Sequence, residues 1–85
     1  MKYKLFIEKS AQKELSKIPR SDQDRIINSV HNLAEKPRPS GVKKLSGRDA
    51  WRLRVGNYRV IYEIHADKLV ILIISIGHRK DIYRK

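Results

Sequence analysis

Three arginines flank a Gly-Asn pair in the second half of the chain, at positions suited to hold a phosphate. They are Arg52, Arg54 and Arg59. If the Gly-Asn pair forms a two-residue hairpin turn, Arg54 lies directly opposite Arg59, and Arg52 lies two positions away on the same face. Like charges directly opposite on a sheet destabilise it by up to about 1 kcal/mol, and an anion would relieve that repulsion. Any one of these arginines alone is better explained as a solvated surface residue, so the predicted anion site depends on all three.

Residues 77–85 bring further groups that bind anions or transfer protons. The segment combines an imidazole, a phenol and several cations, including His78, Arg79, Lys80 and Tyr83. A disordered basic tail would have a similar composition. Two large apolar groups side by side, Ile82 and Tyr83, have no use in a purely solubilising tail. The sequence therefore favours a tail that is docked on the domain.

The sequence contains no pattern for a metal site. It has no cysteine, which excludes disulfides and thiolate zinc sites. The histidines, His31, His65 and His78, stand far apart without the spacing of metal ligands. His31 lies beside an apolar helical stripe, where a structural histidine is the expected interpretation. We expect neither a structural metal nor a cofactor.

The net charge predicts an anionic partner. Twenty Lys and Arg residues against nine Asp and Glu give a formal charge of +11 in 85 residues, and nucleic acid is the commonest partner of so basic a domain. A merely soluble basic surface remains the alternative. Residues 37–85 carry 12 cations and 4 anions, so we expect the working surface there. The longest apolar run has six residues, far short of the roughly 20 needed to span a membrane. We expect a cytoplasmic protein with no membrane partner.

The first part of the chain predicts a strand followed by two helices. In residues 2–7 one face would carry Tyr3, Leu5 and Ile7 and the other would carry Lys2 and Lys4, which is the period of a half-buried strand. Ser10 is expected to cap the first helix, and Ser21 begins the second in a capping-box pattern. Pro37 is expected to close the second helix. Its core-facing stripe is predicted from apolar residues at helical spacing, Ile26, Ile27, Val30, Leu33 and Ala34.

The second part predicts a basic loop and three strands. Residues 36–48 hold the Pro, Gly and Ser signals of a mobile loop together with cations, among them Lys43 and Lys44. Two alternating segments flank the Gly-Asn turn, and the apolar run 68–76 is typical of a strand covered on both sides. We predict one α+β domain over residues 1–85, in the order N-terminal strand, two-helix hairpin, antiparallel three-stranded meander and short basic C-terminal tail.

Two sequence blocks, in this order of elements, resemble the RelE branch of the RelE/ParE toxins. The first runs from Trp51 to Ile64 and contains the pattern R-x-G-x-Y-R-[VL]-[IV]-Y. The second runs from Ile74 to Arg79, contains S-I-G-H-R and is followed by Ile82-Tyr83. The resemblance covers nearly the whole chain, although the helices are generic.

The resemblance implies the toxin of a type II toxin-antitoxin system, a ribosome-dependent mRNA interferase that cuts messenger RNA without a metal. It also implies a cognate acidic antitoxin in a heteromeric complex, with mRNA and the ribosome as the other partners. The implied catalytic residues are Arg54, Arg59, Arg79 and Tyr83. The expected RNA-binding residues are Arg52, Lys43, Lys44, His78 and Lys80. Two departures matter. The second-strand pair is often lysine in the family, and Tyr83 follows Arg79 more closely than in some relatives.

The implied chemistry uses the 2'-hydroxyl of RNA as the nucleophile. Arg54 and Arg59 would clamp the scissile phosphate with forked donors, and Arg79 would stabilise charge on the leaving oxygen. Arginine stays protonated, so the proton acceptor would be Tyr83, if neighbouring cations lower its pKa, or His78. Two alternatives stay open at this point. One is a ParE-like toxin that inhibits gyrase without nuclease activity, and the other is a nonenzymatic nucleic-acid-binding module.

Overall fold

The strands form one mixed sheet in the computed structural model of the chain, which describes residues 2–47 and 49–78. The described elements are, in chain order, β1 (Lys4–Ile7), α1 (Lys9–Ser16), α2 (Arg20–Leu33), β2 (Lys43–Lys44), β3 (Trp51–Val55), β4 (Tyr58–His65) and β5 (Val70–His78). The sheet order is β1-β5-β4-β3-β2. Strand β1 runs parallel to β5, and the other neighbours are antiparallel. The predicted α+β order of strand, two helices and meander is confirmed.

The two faces of the sheet have different coverings. Residues paired across neighbouring strands share a face, and the face that includes Val60, Tyr62 and Ile71 packs against both helices. We call it the helix face. Its core is completed from the helices by fully buried side chains, among them Ala11 and Leu33. The opposite face, which we call the outer face, carries the side chains that alternate with these residues along each strand.

Both helices begin earlier than the serine signals predict. The N-cap of α1 is Glu8, whose N–H donates to the carbonyl of Ile73 at 2.9 Å. The helix therefore starts directly after β1, and Ser10 lies inside its first turn. The N-cap of α2 is Pro19, so Ser21 also lies inside the helix. The predicted serine caps are wrong because a tertiary hydrogen bond fixes the start of α1 and a proline fixes the start of α2.

Side chains of two glutamines support these helix starts in the same way. The amide nitrogen of Gln12 donates to the carbonyl of Ile7 at 2.8 Å, and that of Gln23 donates to the carbonyl of Ile18 at 2.8 Å. Each glutamine lies five residues beyond the carbonyl that it binds. The side chains thus tie the first turn of each helix to the segment that precedes it.

The predicted stripe of α2 is correct at four of its five positions. Ile26, Val30, Leu33 and Ala34 are buried, but Ile27 is 37% exposed. The regular helix ends at Leu33, and its hydrogen bonds continue to Lys36, whose N–H donates to the carbonyl of Asn32 at 3.0 Å. Pro37 has no N–H to extend this series, which agrees with the prediction that it closes the helix.

The last described strand is shifted relative to the predicted run 68–76. Leu69 has a φ of 53°, which places it in the turn before β5, and the strand continues to His78. Ile74 forms a bulge, since Ile61 pairs with Ser75 while Tyr62 pairs with Ile73. The bulge explains the weak alternation of this run. Strand β5 is fully buried on the helix face at Ile71, Ile73 and Ile76, whereas its outer-face residues are half-buried, so the cover that was predicted on both sides is unequal.

The basic loop contains a short strand that the sequence did not predict. Lys43 and Lys44 form β2 at the sheet edge, opposite Arg52 and Trp51. Two lysines in succession have no strand pattern, and their pairing comes from the neighbouring strand. No helix in residues 2–47 and 49–78 is long and apolar enough to cross a membrane.

Tyr62 anchors the loop to the core. Its ring is fully buried, and its hydroxyl donates to the carbonyl of Pro37 at 2.7 Å. Burial raises the pKa of Tyr62 to about 12, although the Arg38 cation opposes the shift. The neutral phenol is therefore the form that the folded state holds.

We expect Tyr62→Phe to lower the free energy of unfolding by about 1 to 2 kcal/mol at pH 7, because the Pro37 carbonyl loses its donor. The folded pKa lies above the ordinary value of 10, so this stabilisation is complete below pH 10 and is lost as pH rises towards 12. Denaturant unfolding of both proteins across that range measures it. Parallel stability curves for parent and variant up to pH 12 would contradict the prediction.

Candidate functional site

The three predicted arginines lie together on the outer face, in the register that the turn implied. Arg54 pairs with Arg59, and Arg52 pairs with Ile61. Gly56 has a φ of 59°, as the first position of a type II′ hairpin turn requires. Lys43 lies opposite Arg52 and extends the group to the edge strand. We call these four residues the arginine face.

The three arginines differ in their exposure to solvent. Arg54 is exposed and Arg52 is half-buried, whereas Arg59 is only 7% exposed. On the neighbouring strand β5, Arg59 is paired with Gly77. Gly77 has no side chain that would compete with the Arg59 side chain for space on this face. A guanidinium buried to this degree stays charged and interacts through a lower dielectric than a solvated one. Arg59 is therefore a buried cation, and Arg54 is a solvent-exposed cation beside it.

His78 is not directed at the arginine face. It pairs with Tyr58, on the helix face, and the two rings meet edge to face with centroids 5.6 Å apart. The hydroxyl of Tyr58 donates to Oδ2 of Asp22 at 3.3 Å. Partial desolvation and the nearby Asp22 carboxylate raise the pKa of Tyr58. His78 thus belongs to a cluster with α2, and the geometry places this candidate base on the other side of the sheet from Arg54 and Arg59.

The remaining predicted site residues divide between described and undescribed parts of the chain. Arg79, Lys80 and Tyr83 lie outside the described residues. Strand β5 ends at His78, beside Tyr58 and the Gly-Asn turn, so it ends at the same end of the sheet as the arginine pair. Lys44 lies opposite Trp51, on the helix face, and so is separated from Lys43.

One basic residue near the sheet edge was missed by sequence analysis. The guanidinium carbon of Arg38 lies 5.5 Å from the centre of the Trp51 ring, within the range of a cation–π contact. Trp51 is half-buried and Arg38 is exposed. The available signal was a lone tryptophan next to a basic loop, but the spacing of 13 residues gives no pattern to connect them.

An apolar groove opens on the opposite side of the molecule. It has a volume of about 180 Å³ and lies between β1, the helices and β5, with Leu15, Ile27 and Ile76 in its lining. The ring of His31 is part of this lining, which agrees with the structural interpretation of that residue. Within residues 2–47 and 49–78, no three His, Asp or Glu side chains are grouped to hold a metal ion.

Comparison with known proteins gives a match over almost the whole chain. Residues 5–83 match the sequence profile of a family described as the ParE toxin of type II toxin-antitoxin system, parDE. A Methanocaldococcus jannaschii protein that carries the name toxin RelE1 is 31% identical over 99% of this chain and 98% of its own length. The mRNA interferase toxin RelE of Escherichia coli is 28% identical over 94% of this chain and 86% of its own.

The fold is also similar to solved structures. A chain from the crystal structure of the archaeal RelE-RelB complex of Pyrococcus horikoshii superposes with a TM-score of 0.85, at 32% identity and with full coverage of both chains. The described fold is thus similar to that chain over its full length.

Proposed function

Because the chain belongs to the RelE/ParE family of toxins from type II toxin-antitoxin systems, we propose that it is an mRNA interferase that cleaves message on the ribosome. The observation that carries the proposal is the arginine face, on which Arg54 and Arg59 are paired beside Arg52. A toxin that binds only gyrase has no need of such a phosphate clamp. The similar proteins are RelE toxins, one of them named an mRNA interferase, which favours the nuclease over the gyrase inhibitor.

In the proposed reaction the 2'-oxygen of one nucleotide forms a bond to the adjacent phosphorus. The bond from phosphorus to the 5'-oxygen breaks, which leaves a 2',3'-cyclic phosphate and, after that oxygen takes up a proton, a 5'-hydroxyl. The RNA supplies its own nucleophile, so the residues of the chain have to position the phosphate and stabilise charge. Arg59 would do so from a buried position, while Arg54 acts from the solvent side.

The proton of the attacking hydroxyl needs an acceptor, and we assign this role to Tyr83. The arginines stay protonated, and His78 is held against Tyr58 on the helix face. A cationic surrounding such as the arginine face favours a phenolate. Arg79 would stabilise the charge on the leaving oxygen.

The second partner of the protein is an antitoxin. We propose that it is acidic and forms a heteromeric complex with the toxin, since a chain of charge +11 is neutralised most directly by opposite charge. Negative groups on the arginine face would also compete with RNA for Arg54. Neutralisation of the toxin then requires no change in its fold.

A cleavage assay with translating ribosomes tests the proposed function. We expect the purified chain to cut message in the decoding site and to leave ends that polynucleotide kinase labels without prior phosphatase treatment, because the product carries a 5'-hydroxyl. A message with a 2'-deoxy sugar before the cut should be resistant. Inhibition of gyrase supercoiling with intact message would instead identify the ParE-like activity, and RNA binding without cleavage would identify a binding module.

A further inference from the structure

The two edges of the described sheet are protected to different degrees. At one edge, β2 consists of two lysines, and short, charged edge strands commonly prevent further pairing. At the other edge lies β1, which contains neither a proline nor a bulge and carries Phe6 at 51% exposure. The extended backbone continues through Glu8, whose φ of −62° and ψ of 153° belong to the β region. We call residues 4–8 the β1 edge.

Alternate backbone groups of the β1 edge point away from the sheet. The N–H groups of Lys4 and Glu8 donate to carbonyls at the two ends of the segment 69–73, at 2.8 and 2.9 Å. Because this direction alternates along a strand, the N–H and C=O groups of Leu5 and Ile7 point to the open side. Helix α1, which follows β1, packs mainly against β5, one strand in from the edge. The edge is therefore open to another strand.

We propose that the β1 edge joins two copies of this chain, through antiparallel pairing of β1 with β1 of the second copy about a two-fold axis at Phe6. The two five-stranded sheets would become one continuous sheet. A two-fold interface uses the same patch on both copies, so the patch has to be complementary to itself. The inference does not depend on the proposed nuclease activity.

The register centred on Phe6 makes the β1 edge complementary to itself. On the outer face, Phe6 lies opposite Phe6 of the second copy, and Lys4 lies opposite Glu8. On the helix face, Leu5 lies opposite Ile7, and both are half-buried in the single chain. Aromatic pairs and opposite charges directly across antiparallel strands stabilise a sheet. An axis at Leu5 or at Ile7 would instead place a charge opposite Phe6.

The same register satisfies the backbone groups on the open side. Leu5 and Ile7 become a hydrogen-bonded pair, in which each residue donates its N–H to the carbonyl of the other. The Ile7 carbonyl already accepts the side chain of Gln12 at 2.8 Å, and its second lone pair remains for the new bond. Phe6 and its copy form a non-hydrogen-bonded pair, because their N–H groups point to β5 in each chain.

The charges of the chain agree with this pairing. Within residues 2–47 and 49–78, neither Lys4 nor Glu8 forms an ion pair, and the Glu8 side chain does not cap α1. The strand that carries Arg59, β4, is the third from this edge, so the two β4 strands would lie about 24 Å apart. That distance exceeds the Debye length of about 8 to 10 Å at physiological salt, so repulsion between the two arginine faces is screened.

Cysteine cross-linking tests the position of the axis, because the chain has no cysteine of its own. In Phe6→Cys the two thiols would lie across a non-hydrogen-bonded pair with Cα atoms about 4.5 Å apart, which is within disulfide range. Lys4→Cys is the matched control on the same face, since its copy would lie about 13 Å away along the strand. We expect mild oxidation to link Phe6→Cys chains at least about 10-fold faster than Lys4→Cys chains.

An exchange of charges tests the register without a cross-link. Lys4→Glu and Glu8→Lys each place like charges opposite each other on both sides of the axis. Sedimentation equilibrium of each full-length variant should show a dimer dissociation constant at least about 5-fold above the parental value. The double variant Lys4→Glu/Glu8→Lys restores the opposite charges and the parental net charge, so its constant should lie within about 2-fold of the parent.

Equal cross-linking of the two cysteine variants would overturn the inference, as would a parent chain that stays monomeric up to about 1 mM. Dissociation constants that move in opposite directions in the two single charge variants would contradict it too, because net charge alone would then govern association. A monomeric chain whose Leu5 and Ile7 amides gain protection from hydrogen exchange only with the antitoxin would assign the edge to an antitoxin strand instead of a second copy.

Discussion

Arg59→Ala is expected to reduce ribosome-dependent cleavage by about three orders of magnitude, the upper range for loss of one fixed donor in the transition state. Arg59 is the buried member of the arginine pair, so solvent or a neighbouring side chain cannot readily replace its charge. Growth arrest after induction, and single-turnover cleavage in vitro, both measure the loss.

The fold should survive this substitution, since removing Arg59 also removes its repulsion with Arg54. Circular dichroism and the melting temperature of the variant provide the check. Arg59→Lys keeps the charge but loses the forked donor, so we expect an intermediate rate. Arg79→Ala is expected to have a comparable effect. A folded Arg59→Ala protein that is as toxic as the parent would show that the active-site assignment is wrong.

Tyr83→Phe is expected to slow the chemical step at least about 100-fold while ribosome affinity stays near the parental value. The substitution removes only the hydroxyl, so any stacking of the ring on a base is kept and proton transfer is lost. Single-turnover cleavage at saturating toxin separates the chemical step from binding.

His78→Ala is the informative companion to this variant. The contact of the His78 ring with Tyr58 on the helix face leads us to expect nearly parental cleavage. If His78→Ala is slow and Tyr83→Phe is not, the base is His78, and a rate that rises through about pH 6.5 would support that revision. If neither variant is slow, catalysis depends on phosphate clamping by the arginines alone.

The arginine pair could be predicted from sequence because everything that fixes it is local. A period of two on both sides of Gly56-Asn57 sets the hairpin register, and the register puts Arg54 opposite Arg59. The family resemblance then implied the reaction, which is the cleavage of messenger RNA. No tertiary information was needed for this part of the site.

Three of the features that were missed depend on contacts distant in sequence. The start of α1 is set by the Ile73 carbonyl, far along the chain. The face on which His78 lies follows from its pairing with Tyr58, beyond a bulge at Ile74 that no sequence pattern marks. Arg38 contacts Trp51 from a loop that is also tied to Tyr62 through the Pro37 carbonyl. The surroundings of these residues can be predicted only when the pairing of the strands is known.

The parallel pairing of β1 with β5 determines the order in which a newly made chain can fold. Strand β1 is synthesised first, yet its neighbour in the described sheet is β5, which follows the helices and the other strands. The β3–β4 hairpin closes locally within microseconds, whereas pairing between distant segments is slow. The packing of the helices is also completed only after β5 is made, because β5 supplies Ile71 and Ile73 to the core that they share. The sheet that carries the arginine face is therefore complete only after β5 has been synthesised.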